Sequence, residues 1–183
     1  MGLKFRNPKE IEFKRKLALG TVQFGLNYGI ANQVGQISVK QASEILAVAK
    51  NEDIDLLDTA IAYGESETVL GKVGVTNFKI VSKLLPLPPK LSNVKTWVGG
   101  QVHDSCAKLG VNSLYGLLLH NSSDLHGCYG SALNEALCDL KLSGLVSKIG
   151  ISIYDPSELD QIIQLIDIDL IQAPLNLIDR RIE

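Results

Sequence analysis

The chain holds 183 residues, 45% of them hydrophobic, with 18 basic side chains against 20 acidic ones for a net charge of −2. That is enough apolar volume for one sizeable domain and excludes a disordered tail. The near balance of charge gives no footing for a nucleic acid or an anionic membrane surface.

Three cysteines, Cys106, Cys128 and Cys138, form no C-x-x-C pair. Their odd number argues against a secreted disulfide framework and for a reducing, cytoplasmic setting. The segment Met1 to Lys16 is charged and lacks the roughly 7 to 15 residue apolar run of a signal peptide, and no window approaches the ~18 apolar residues of a membrane span. The one dense basic stretch, Lys14-Arg15-Lys16, runs straight into apolar sequence.

Leu17 to Gly20 is the first strand-length apolar run. A long loop follows, carrying Gly20, Gly25, Gly29 and Gly35, in which Phe24 and Tyr28 are open either to lining a pocket or to packing under the loop. Ser38-Val39-Lys40-Gln41 has capping-box spacing and leads into Ala42, Ile45, Leu46 and Ala49 on one helical face. Ile54 to Asp58 and Lys79 to Lys83 are the second and third strands. Gly99 and Gly100 interrupt the next helix, which is placed at Gln101 to Leu109. Leu114 to His120 is the fourth strand. Ser131 starts a helix with Leu133, Ala136, Leu137 and Leu140 inward and Gly144 as its left-handed stop. Val146 to Ser152 is the fifth strand. Asp155-Pro156-Ser157-Glu158 then opens a helix bearing Leu159, Ile162, Ile163 and Ile166, and Ile168 to Ala173 is the sixth strand.

Strands that are mostly apolar, alternating with helices at spacings of about 30 residues, predict an α/β fold with a parallel sheet and right-handed crossovers. A doubly wound sheet would carry a glycine-rich phosphate turn tight between strand and helix. Here the glycines are spread from Gly20 to Gly35, which favours a parallel (β/α) barrel of the TIM type. Such a barrel closes with eight strands in ~250 residues. The expectation is therefore an incomplete barrel of about six strands, a single domain over residues 1–183, whose open strand edges invite self-association.

Four titratable residues stand at or just past the C-terminal ends of predicted strands: Asp58, Tyr63, Lys83 and His120. Each alone has an ordinary explanation. Asp58 can cap a turn, Tyr63 can cover the rim, Lys83 can be solvated, and His120 can be a satisfied buried histidine. Together they converge on the mouth where β/α barrels build their sites, and independent ordinary explanations for all four become improbable.

The run Asp58-Thr59-Ala60-Ile61-Ala62-Tyr63-Gly64-Glu65-Ser66-Glu67, then Lys83, then Leu117-Leu118-Leu119-His120, resembles the Asp, Tyr, Lys, His tetrad of the aldo-keto reductase family in order and approximate spacing. Lys141 to Ser152 resembles that family's fifth strand, and Gln172-Ala173-Pro174-Leu175-Asn176-Leu177 its sixth, so the similarity spans residues 17 to 181. The resemblance implies an oxidoreductase that moves hydride between NADPH, with NADH left open, and a small-molecule aldehyde or ketone. Tyr63 would be the general acid, Asp58 would hold Lys83 charged and in place, and His120 would donate a hydrogen bond to the carbonyl oxygen.

A free phenol has a pKa of ~10, and an ammonium ~4 Å away at an effective dielectric of ~20 is worth about 4 kcal/mol, or roughly three pKa units. Lys83 is accordingly expected to lower the Tyr63 pKa. By the same resemblance, Ser152 and Gln172 match positions that hold the nicotinamide carboxamide, and Thr21 lies where the first loop meets the cofactor. Read as residues alone, Ser152 can simply end a strand, Gln172 can be an interior polar group, and Thr21 can be turn chemistry. Ile153 breaks the family's serine-asparagine pair, and the groups that grip the 2′-phosphate and adenine fall beyond Glu183. No metal is implied. A second reading of another class stays open: a non-catalytic, truncated barrel serving as a binding or assembly module.

Overall fold

The computed structural model describes residues 17–181. The sequence readings on Met1 to Lys16, with Lys14-Arg15-Lys16, and the last two residues, Ile182 and Glu183, lie outside them. Six parallel strands, β1 (Leu19–Gly20), β2 (Leu56–Asp58), β3 (Lys79–Leu84), β4 (Leu114–Leu119), β5 (Val146–Ser152) and β6 (Leu170–Gln172), form one sheet in sequence order. The helices between them are α1 (Val22–Gly25), α2 (Val39–Asn51), α3 (Ser66–Val73), α4 (Val94–Leu109), α5 (Gly130–Leu142) and α6 (Ser157–Ile162), with a 3-10 turn at Ser122–Leu125. The result is an incomplete TIM-type barrel, a curled sheet with helices in every crossover.

Register decides which side chain faces which layer. Asp58 pairs with Val81, Lys83 with Leu118, Gly150 with Leu170 and Ser152 with Gln172. Because side chains alternate along a strand, these residues share the inner face, while Leu57, Ile80, Ser82, Leu84, Leu117, Leu119, Ile149 and Ile151 face the helices. The apolar members of the helix-facing set are buried and join Leu70, Val98, Leu133 and Ile162 in the main core. On the inner face, a Cβ at Gly116 would stand 2.7 Å from Leu170 Cδ1, and one at Gly150 would stand 2.1 Å from the Leu170 carbonyl oxygen. Two glycines thus let β6 lean over β4 and curl the sheet.

The caps predicted at Ser38 and Gly144 form, whereas α6 starts at Ser157 rather than at Pro156, and Pro156 stands as an N-cap without a side-chain bond. Ser38 Oγ accepts from Gln41 N while Gln41 Oε1 accepts from Ser38 N, and Gly144 takes a φ of 76° just past α5. The helix before β4 differs from expectation: α4 begins at Val94, capped by Asn93, and runs through Gly99 and Gly100. Two interior glycines cost ~1 kcal/mol each, whereas each buried valine or leucine returns ~1.5 to 3. Val94, Val98, Val102, Cys106 and Leu109 form a continuous buried stripe that outweighs them. Strand ends are trimmed as well, so that β1 and β6 are shorter than predicted and His120 lies just past β4. In the long first loop, α1 is an unpredicted turn of helix whose Phe24 is 3% exposed in the core, while Tyr28 is exposed. The short helix α3 was not foreseen either.

Candidate active site

Asp58 ends β2, Lys83 is the penultimate residue of β3, His120 follows β4, Ser152 and Gln172 end β5 and β6, and Tyr63 sits in the turn before α3. All six gather at the C-terminal mouth. The Lys83 residue is 1% exposed, and its Nζ donates to Asp58 Oδ1 at 2.6 Å, to the Thr59 carbonyl at 3.0 Å and to Tyr63 OH at 3.2 Å. Three partners match the three ammonium protons, which offsets the cost of burying the charge. The Tyr63 and His120 rings meet edge to face, centroids 6.3 Å apart. The tetrad named from sequence is therefore one contiguous cluster.

Its electrostatics differ from the expectation for Tyr63. Burial first, then the Asp58 carboxylate, with smaller contributions from Tyr154 and Tyr28, pushes the phenol up to about 12 rather than down. The expectation treated the Lys83 ammonium as a free charge. Asp58 is the closer of the two, at 2.6 Å against 3.2 Å, and spends that charge before the phenol can use it. Tyr63 is thus fully protonated near neutrality. Burial and the Lys83 charge lower the His120 pKa against an opposing pull from Asp58, so its imidazole is neutral at pH 7.

Local sequence fixes the Tyr63 turn. Tyr63 N donates to the Ala60 carbonyl and Ser66 N to the Tyr63 carbonyl, with Gly64 at φ 55° between them. Behind the turn lies a buried hydroxyl cluster. Ser66 Oγ contacts Thr59 Oγ1 at 3.1 Å, Thr21 Oγ1 at 3.0 Å and the Thr21 carbonyl at 2.9 Å, and Thr21 Oγ1 donates to the Asp58 carbonyl at 2.9 Å. Thr21, 0% exposed, sits in this seam holding the end of β2, and its hydroxyl faces protein. The His120 loop is tied down in turn. Asp124 accepts from Asn121 and from Leu87 N, and Ser122 donates to Glu158, whose other oxygen caps the start of α6 at Tyr154 N and Asp155 N.

Sequence reasoning missed Glu67. It is 2% exposed on α3, accepting from Ser82 Oγ at 2.7 Å and Ser105 Oγ at 3.1 Å, so the carboxylate bolts α3 and α4 to the helix side of β3 directly behind Lys83. An acid three residues before the buried Leu70 on a short helix was the available signal. Ser152 and Gln172 are register neighbours, and Gln172 Nε2 donates to Asp58 Oδ1 at 3.0 Å across the mouth. A surface cavity of ≈ 340 Å³, lined by Thr76, Lys79, Tyr115 and Ser147, opens at the other end of the strands, away from these groups.

Among the described residues no cluster of three His, Cys, Asp or Glu is placed to hold a metal, and no helix is long and apolar enough to cross a membrane. No curated protein matches the chain. Among solved structures, a Pseudomonas aeruginosa protein described as an aldo-keto reductase superposes with a TM-score of 0.73 at 26% identity, covering 90% of this chain and 64% of that one. A Bacillus halodurans aldo-keto reductase in its holo form gives 0.68 at 20% identity, covering 87% of this chain and 53% of that one. A Bombyx mori aldo-keto reductase in complex with NADP gives 0.66 at 19% identity, covering 87% and 54%. The last two speak for the fold alone. The chain spans less than two thirds of the length of each. The model of the aldo/keto reductase family matches residues 16–183, and with that match the cluster at the mouth of the sheet has its context: the chain belongs to the aldo/keto reductase family.

Proposed function

We propose that this site reduces an aldehyde or ketone with a nicotinamide cofactor, NADPH in the first instance, and that Tyr63 delivers the proton. The observation that carries the reading is the buried Lys83 ammonium, held 2.6 Å from Asp58 and 3.2 Å from the Tyr63 hydroxyl. Desolvating an ammonium is costly even when it is paired, which favours a use for the charge placed at this strand end.

When bound, the nicotinamide supplies the hydride. The donor and acceptor set suits it: the Ser152 hydroxyl and the Gln172 amide stand side by side by register, and a carboxamide needs both kinds of partner. The phosphorylated cofactor is taken first because the sequence resemblance of the tetrad implies it. On the protein side, the carbonyl oxygen lies between Tyr63 and His120. Neutral His120 donates a hydrogen bond to it, which strengthens as negative charge develops there. A phenol with a pKa of about 12 keeps its proton until that oxygen becomes a stronger base, and then gives it up. The phenolate left behind keeps the hydrogen bond from the Lys83 ammonium, 3.2 Å away, whose nearer partner is Asp58.

The test is consumption of NADPH by the 183-residue chain across a panel of aldehydes and ketones, followed at the reduced nicotinamide's absorbance, with Tyr63→Phe alongside. The expected result is turnover that falls by at least about a hundredfold in the variant, since a positioned general acid contributes ~10² to 10⁴. A variant that keeps most of the rate removes Tyr63 from the chemistry.

A further inference from the structure

The His120 imidazole makes no hydrogen bond among the described residues, and its aromatic partner is Tyr63, met edge to face. Its N–H is thereby left for a ligand, yet nothing bonded to the ring fixes where the ring stands. Its place has to come from the backbone. On the N-terminal side that backbone is secured, because Leu119 is the last residue of β4 and pairs with Leu84 and Ile151. On the C-terminal side the chain leaves the sheet and enters the 3-10 turn Ser122–Leu125. Loops at a barrel mouth are the mobile part of such a fold, so a defined position there needs added ties.

Two carboxylates supply them, and each divides its oxygens between loops. Asp124 Oδ1 accepts from the side chain of Asn121, next to His120, at 3.1 Å, while Asp124 Oδ2 accepts from Leu87 N at 2.9 Å in the segment after β3. Glu158 Oε2 accepts from Oγ of the buried Ser122, while Glu158 Oε1 accepts from Tyr154 N and Asp155 N, both at 3.0 Å, in the segment after β5. One oxygen of Glu158 is enough to cap the start of α6, and one of Asp124 is enough to close its own turn. The other oxygen of each is the one that crosses to a neighbouring loop. The Ser122 bond, and behind it the two backbone bonds, holds the Glu158 carboxyl below its usual range, so the acceptor is ionised at pH 7. Hydrogen bonds to an ionised acceptor are roughly twice as strong as neutral ones.

We infer that Asp124 and Glu158 are positioning residues for His120: they suspend its loop between the exits of β3 and β5 and so hold the imidazole against Tyr63. A displacement of either neighbouring loop is then felt at His120. Where the ring stands is independent of the function proposed above, and what the ring does there rests on that reading. The stake is geometric, since misplacing a reacting or orienting group by 1 Å can cost on the order of a hundredfold in rate.

The experiment reads the nuclear Overhauser contact between the Tyr63 and His120 ring protons in the unliganded 183-residue chain, for the native protein and three variants. Ser122→Ala cuts the Glu158 tie to the His120 loop and leaves the α6 cap intact, Asp124→Ala cuts the tie to Leu87, and Ser38→Ala removes the α2 cap far from the mouth as a control for general loosening. The expected result is a ring contact present in the native chain and in Ser38→Ala, and weakened or lost in the other two. NADPH consumption with 4-nitrobenzaldehyde as the carbonyl probe is measured alongside. There kcat is expected to fall by about tenfold or more in Ser122→Ala and Asp124→Ala, as a misplaced group demands, while KM for NADPH stays where it was. A ring contact that survives both substitutions overturns the inference, as does one missing from the native chain or lost equally in Ser38→Ala. A native chain that shows the contact but consumes no NADPH brings down the reductase reading, and the ring contact in the variants still decides this one.

Discussion

Gly25 packs backbone to backbone against Tyr63: a Cβ on Gly25 would stand 1.7 Å from the Tyr63 carbonyl oxygen and 2.4 Å from Ser66 N. The glycine on the other side of the contact, Gly64, is at φ 55° and has the Gly25 carbonyl only 2.6 Å from where its own Cβ would be. The unforeseen helix α1 is therefore the shelf on which the Tyr63 turn rests. Gly25→Ala cannot be absorbed by a side-chain rotation, because the atoms it meets are backbone. It is expected to cost ~1 to 3 kcal/mol in urea denaturation, as overpacking does, and to lower the rate of carbonyl reduction more than cofactor affinity. An unchanged denaturation midpoint with unchanged turnover contradicts the contact.

Lys83 and Asp58 form a pair in which the lysine side chain is 2% and the aspartate side chain 20% exposed. Removing one member leaves the other charge without its partner. Lys83→Met is expected to destabilise the chain by ~3 to 5 kcal/mol, and the double variant with Asp58→Asn to recover part of that loss. Chemical denaturation of the four proteins in the cycle measures it.

The neutral His120 gives a pH dependence whose sign can be worked out. Its folded pKa lies below the ordinary 6.5, so between those two values the unfolded chain binds more protons than the folded one. Stability is complete above 6.5 and is lost as pH falls through the window below it. Carboxylates whose pKa is lowered in the fold, Glu158 and Asp169 among them, add their own loss only at more acidic pH. The His120 ring signals in an NMR titration should show a midpoint below 6.5, and His120→Asn should flatten the denaturation midpoint between pH 7 and the native midpoint.

Among the described residues, Glu67 is the one acceptor of the hydroxyls of Ser82 and Ser105. Glu67→Leu is expected to leave both buried without a partner, at ~1 to 3 kcal/mol for each, whereas Glu67→Gln keeps an acceptor and should cost less. Thermal or urea denaturation ranks the two. An equal loss for both would show that the carboxylate's charge, not its hydrogen bonding, matters there.

The strands and the four mouth residues were legible because they depend on short-range pattern. Apolar runs of strand length fix where Lys83 and His120 emerge, and a parallel sheet puts all C-terminal ends at one mouth. The capping box at Ser38 and the stop at Gly144 were legible for the same reason. What escaped depends on partners distant in sequence. Gly25 looked like one of several loop glycines until α1 met the Tyr63 turn. Gly99 and Gly100 looked like a break until the valine stripe of α4 found its core. The direction of the Tyr63 shift turned first on its burial and then on the nearby Asp58 carboxylate, neither of which spacing encodes. The link from Gln172 to Asp58 joins residues 114 positions apart.

Thr59 is a hinge between two layers. Its carbonyl accepts from the Lys83 ammonium, and its hydroxyl, on the opposite side of the chain, meets Ser66, which in turn meets Thr21. The seat of the Lys83 ammonium is therefore backed by a layer of neutral, buried hydroxyls. Small changes among Thr21, Thr59 and Ser66, a methyl gained or an oxygen lost, offer a way to shift the Lys83 and Tyr63 pair while the side chains at the mouth stay the same.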